Sequence, residues 1–153
     1  MATVDVTSQR VQRILVGEFE VTLTKDGGFR VDLGSTAVFI TVKEWTPDND
    51  GNPRSIVRVS APLGRKVAPT PELFRWAAID GRARLFGGVT VFEEEGGTLF
   101  LVYDHTLLGD FIDPAEMITA VYTIGSTADE FDEIVHDRFG GKRYTDHDPD
   151  PAS

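Results

Sequence analysis

The side chains able to do chemistry are few and scattered. There are three histidines (His105, His136 and His147) and no cysteine, which leaves out disulfides, zinc ribbons and thiol nucleophiles. A hydrolytic centre needs a nucleophile, a base and an orienting acid. The one arrangement offering a base is Asp104-His105 at the end of a strand, with Asp110 close by. No serine lies in a Gly-x-Ser-x-Gly elbow to serve it. The same polar residues suit a turn that satisfies backbone groups, so the trio stands only as an alternative reading: a small-molecule-binding or hydrolytic α+β domain. Asp132 and His136 are four apart, a spacing that can hold a divalent ion on one helix face. That spacing equally suits a pair that steadies an exposed helix, and no metal is expected. No Gly-x-x-x-x-Gly-Lys-Ser/Thr and no Gly-x-Gly-x-x-Gly opening a helix is present, so no nucleotide cofactor is expected either. Glu93-Glu94-Glu95 beside Gly96 reads as a solvated hairpin tip. No catalytic residue is assigned, and the expectation is a protein that is not an enzyme.

The whole chain points the same way. Its 153 residues suit one domain, and 41% apolar with 26% charged residues is the balance of a folded one. Acidic residues outnumber basic ones 25 to 15, giving a formal charge of −10. A phosphate backbone or an anionic membrane surface is bound by clustered cations, so neither nucleic acid nor membrane is expected as a partner. The first twenty residues carry no apolar run of signal-peptide length, and the expected location is the cytoplasm.

The elements that must position these residues can be read from pattern. Thr7 or Ser8 can cap a short helix carrying Val11, Ile14 and Leu15 on one face and stopping at Gly17. Alternation then predicts strands over Phe19 to Leu23, Phe29 to Leu33, Thr36 to Trp45 and Ile56 to Ala61. Thr70 and Pro71 predict a helix start, with the helix ending near Asp80-Gly81. Glu95-Gly96-Gly97 predicts a hairpin between Gly88 to Glu94 and Thr98 to Tyr103. Asp113-Pro114-Ala115-Glu116 is a capping box opening a helix that ends at Gly125; a second helix follows from Ser126 to Phe139. Residues 142–153, rich in Asp and Pro, read as a disordered acidic tail beyond a single α+β domain of residues 1–141.

The informative feature is apolar. In Thr36 to Trp45, the side chains of Val38, Ile40 and Val42 fall on one side and those of Phe39 and Trp45 on the other. In the later hairpin Val89 and Val91 oppose Phe92, while Leu99, Leu101 and Tyr103 oppose Phe100 and Val102. A sheet with one wet face alternates apolar with polar, and these strands do not. At roughly 25 cal/mol per Å² of exposed apolar surface, something should cover both faces. Helices on both sides or a curled sheet would do so; so would a second copy of the chain or a bound peptide. Phe39, Trp45, Phe92 and Phe100 are the candidate partner-binding residues, for a protein or peptide client or in a homodimer.

The chain resembles a known family. The residues that carry the resemblance are the helix Leu73-Phe74-Arg75-Trp76-Ala77-Ala78-Ile79-Asp80, then Gly88-Val89-Thr90-Val91 and Gly97-Thr98-Leu99-Phe100-Leu101-Val102. Leu107-Leu108-Gly109-Asp110, Pro114-Ala115-Glu116-Met117 and the closing run from Ala128-Asp129 to Phe139-Gly140-Gly141 complete it. Together they are similar to the bacterial YbjN-like proteins, which share the fold of the type III secretion chaperones. The resemblance implies an antiparallel sheet backed by helices and a chaperone-like domain that binds peptides or proteins, often as a homodimer. It brings no catalytic residues and no cofactor. Two departures from the family pattern are expected: a short first helix and an added acidic tail.

Overall fold

A computed structural model describes residues 2–47, 49–82 and 84–151. Helix α1 (Ala2–Glu18) leads into strands β1 (Val21–Leu23), β2 (Phe29–Leu33), β3 (Thr36–Trp45) and β4 (Arg54–Val67). Helix α2 (Pro71–Ile79) and a 3-10 turn over Asp80–Arg82 connect to β5 (Gly88–Glu93), β6 (Leu99–Leu108) and helix α3 (Pro114–Phe139). The six strands form one antiparallel sheet in the order β1-β2-β3-β4-β6-β5. All three helices contribute to a core on one face: Val11 and Leu15 of α1, Trp76 of α2 and Phe131 of α3 join Ile40, Val59 and Tyr103 from the strands. The expected α+β class, an antiparallel sheet backed by helices, is therefore what the chain adopts.

Both later helices start as their sequences require. Thr70 Oγ1 accepts from the Leu73 amide and Asp113 Oδ1 from the Glu116 amide, each with proline in the first turn. Strands β2 and β3 have the expected bounds.

Five elements differ from expectation, each for a packing reason. Helix α1 begins at Ala2 and runs past Gly17. Thr7 is not its cap but lies within it, buried on the same stripe as Val11 and Leu15. Strand β1 starts only at Val21, because Phe19 turns to meet Tyr122 with ring centroids 5.0 Å apart. Strands β4 and β6 are longer than expected because they pair with each other from Ile56–Leu108 to Val67–Leu99, through two irregularities between Pro62 and Val67. Helix α3 is continuous through Gly125, where a Cβ would lie 2.8 Å from Leu33 Cδ1 and 3.2 Å from Val38 Cγ2. There glycine lets the helix settle on β2 and β3 rather than ending it.

The largest difference lies after α3. Residues 142–151, expected as a disordered tail, cross the sheet face opposite the helices. Lys142 forms an antiparallel bridge with Arg65, each amide donating to the other's carbonyl at 2.7–2.8 Å. The chain reverses into this path at Gly140 and Gly141, with φ of 71° and 79°. A Cβ on Gly141 would lie 2.6 Å from the Arg65 carbonyl oxygen.

Candidate peptide-binding face

Period-two alternation and the register fix what the outer face carries. Arg30 is opposite Phe39, and Phe39 is opposite Ser60, which is opposite Asp104. Phe92 pairs with Phe100, Trp45 with Arg54, and Ile56 with both Lys43 and Leu108. The expectation of apolar side chains on both faces holds, and the helices cover only one of them.

The four candidate anchors do not form one cluster. Phe39 and Phe100 are buried on the outer face by this chain's own Tyr144. Its ring meets Phe39 edge-on at 5.9 Å and stacks on Phe100 at 6.4 Å. Guanidinium groups cover the same rings, Arg30 over Phe39 at 5.6 Å and Arg65 over Phe100 at 5.3 Å. Phe92 is half-buried beside Phe100 on the edge strand β5. Trp45 stands apart at the far end of β3, 44% exposed. There the register sets it near Ile56 and the exposed Leu108, on a part of the face that neither helix nor C-terminal segment covers.

Ion pairs hold residues 142–151 down. Arg30 bonds Asp32 and Asp146, the latter at 2.8 Å, and Arg65 bonds Glu94 and Asp148, the latter also at 2.8 Å. Burial alone would raise the Glu94 carboxyl, but the Arg65 guanidinium and the Lys66 amide outweigh it and hold it below the usual carboxylate range. For Asp148, burial is likewise outweighed, by the Thr145 amide and Arg65, and its carboxyl is also lowered. Burial, with Asp150 close by, pushes the Tyr144 phenol up to about 12. Beside the segment a cleft of about 370 Å³ is lined by Arg30, Ala37, Pro62, Asp132, Tyr144 and Asp146, among others.

The alternative trio does not assemble. Alternation along β6 puts Asp104 and His105 on opposite faces. Asp104 pairs with Arg58 and accepts from Thr90 on the outer side. His105 instead faces Phe86 at 5.6 Å, in a recess of about 340 Å³ that Asp113 and Glu116 also line. Asp110 is occupied elsewhere: its Oδ1 accepts from the Ser55 amide at 3.0 Å and from the Ser55 hydroxyl at 2.6 Å. These bonds hold its carboxyl below the usual range. Asp132 is paired with Arg143 at 2.9 Å rather than poised with His136, although burial still pushes its carboxyl up. Among the described residues no group of three or more histidines and carboxylates is set to hold a metal, and no helix is long and apolar enough to cross a membrane.

Sequence reading missed Ile56, Leu108, Arg30, Arg65 and Tyr144 as parts of this face. The first two were legible in principle, through the same alternation that marked Phe39. The other three become visible only once the C-terminal path is known.

Comparison with known proteins agrees with this architecture. Among solved structures, YbjN from E. coli, described as a candidate transcription regulator, superposes with a TM-score of 0.61 at 10% identity, covering 84% of this chain and 90% of that one. The Yersinia pestis type III secretion chaperone SycH, solved in complex with a stable fragment of YscM2, gives a TM-score of 0.51 at 11% identity, covering 82% and 98%. At these identities the likeness is one of fold. No curated protein matches the chain. A family model described as "T3SS (YopN, CesT) and YbjN peptide-binding chaperone 1" matches residues 5–147, reaching back into α1 and forward past Tyr144. Neither a shortened first helix nor a segment wholly foreign to the family separates this chain from that pattern, and the protein belongs to the type III secretion and YbjN peptide-binding chaperone family.

Proposed function

We propose that this protein is a non-enzymatic module that holds a polypeptide segment on the outer face of its sheet. The open end of that face, at Trp45, Ile56 and Leu108, is the entry point, with Phe92, Phe39 and Phe100 further along. The observation that carries the reading is the division of the sheet: one face is sealed by three helices, while the other bears aromatic rings and no helix. Three features support it. The family is one of peptide-binding chaperones. Strand β5 is a sheet edge whose outward backbone groups can pair with an added strand. Among the described residues, Arg58 Nε is a buried donor without an acceptor in the middle of the face, which a client carbonyl or carboxylate would satisfy. Pairing of two copies, and work in the cytoplasm, belong to the same proposal.

A fluorescent peptide library tests the reading. Peptides that bind the wild-type chain should lose at least tenfold in affinity for Trp45→Ser and for Leu108→Ser, both at exposed positions, with unchanged thermal melting. Equal binding by the variants, or no peptide bound by any form, would overturn it.

A further inference from the structure

Residues 142–151 bring an aromatic ring to two apolar rings and carboxylates to two guanidinium groups. That is the chemistry of a bound peptide. Tyr144 fills the space between Phe39 and Phe100, Asp146 reaches Arg30, Asp148 reaches Arg65, and the Lys142 backbone pairs with Arg65 as a short added strand would. Arg30, Lys43, Arg54, Arg58 and Arg65 all belong to this one face. Although Asp32, Asp50, Asp104 and Glu94 pair with four of them, Arg30 and Arg65 each bond a second carboxylate, supplied by the segment.

We propose that the Phe39–Phe100 half of the outer face is a docking site for an acidic peptide that carries an aromatic residue. Residues 142–151 are its resident occupant, displaced when such a client binds. The inference rests on the peptide-binding reading and adds both the chemistry of the client and a gate on its entry.

The gate has a definite physical consequence. A segment tethered at Gly141 competes at an effective concentration on the order of millimolar. An external peptide therefore sees its affinity reduced by the fraction of chains in which the site is open. Weak, non-matching segments are excluded, while a client that also reaches the open Trp45 end can win through its added contacts.

The test uses the full-length chain and a fluorescein-labelled peptide with the sequence of residues 142–151. It compares the wild type with two variants that weaken the resident: Tyr144→Ala, and Asp146→Ala with Asp148→Ala. The double variant removes the exposed Asp146 carboxylate and the partly buried Asp148 carboxylate but leaves the Tyr144 ring seated, so it reports even if the first one folds poorly. Both variants should bind the peptide at least tenfold more tightly than the wild type does, and a peptide carrying alanine for tyrosine should not bind. Equal affinity across the three forms, or no binding by any, would overturn the inference. The library peptides of the preceding experiment separate the two failures. If they still bind the wild type through Trp45 and Leu108, only the displaceable occupant is lost; if no peptide binds at all, the peptide-binding reading falls with it.

Discussion

At the scale of single residues, Tyr144 and Asp110 show how position decides role. The phenol of Tyr144 stays neutral on the sheet up to about pH 12, whereas a released tyrosine ionises near 10.0. Between those values the seated form holds a proton that the released form has lost, so seating weakens as pH rises across that window; below it the phenol adds no slope. Asp148 acts with the opposite sign: its carboxyl is lowered from 3.8, so its contribution is complete above that value and is lost as pH falls through the seated one. Because the chain has no cysteine, His147→Cys accepts an environment-sensitive dye at a single exposed site and reports release directly. Release should rise below about pH 4 and above about pH 10, the values at which these groups change charge. Tyr144→Phe, which keeps the ring, should abolish the alkaline limb alone. A dye signal with the same alkaline slope in Tyr144→Phe would contradict this account. Asp110 looked like part of a catalytic cluster, yet it pins the β4 entry to the loop after β6. Ser55 gives its one hydroxyl proton to Asp110, so the Thr7 hydroxyl must be the donor in its 2.6 Å bond to Ser55. Asp110→Asn exchanges charge-assisted bonds for weaker ones at a partly buried site and should cost about 1–3 kcal/mol in a denaturant melt. A cost near zero would mean that the network does not hold the loop.

At the scale of elements, legibility followed the range of the interaction. Strands β2 and β3, the caps of α2 and α3 and the β5–β6 hairpin are set by neighbours in sequence, and the pattern shows them. Gly125 misled because a mid-helix glycine reads locally as a stop, whereas its purpose is contact with Leu33 and Val38, roughly ninety residues away. His105 misled because polar residues suggested the end of β6, while the long pairing with β4 carries the strand on to Leu108. The candidate face was half legible. Alternation identified the aromatic rings, but nothing near Tyr144 in sequence says that it will lie on Phe39. The Gly125 reading leads to a graded outcome. Gly125→Ala meets the flexible end of Leu33 and gains up to about 1 kcal/mol of helix propensity, so its melt should change little. Gly125→Leu cannot be accommodated by one rotamer and should destabilise by about 1–3 kcal/mol through overpacking. If the two variants melt alike, α3 does not rest on β2 and β3 at that point.

At the scale of the whole molecule, two fields of different range act on a client. The net charge of −10 repels an acidic peptide at a distance, while the cations of the outer face attract it on contact. Salt separates the two because screening depends on distance. The Debye length falls from about 30 Å at 0.01 M to about 8 Å at 0.15 M. Repulsion spread over the whole surface is largely screened within that range, whereas a pair such as Arg65–Asp148, at 2.8 Å and partly buried, is weakened much less. A Tyr144→Ala chain meeting the peptide of residues 142–151 should therefore associate several-fold faster as salt rises from about 0.01 to 0.15 M. Its dissociation should quicken appreciably only towards about 1 M, where the Debye length approaches the length of an ion pair. Stopped-flow anisotropy resolves both rates. If association slowed with the first addition of salt, the cations of this face would govern the approach as well as the grip, and the acidic remainder of the surface would have no part in selecting the client.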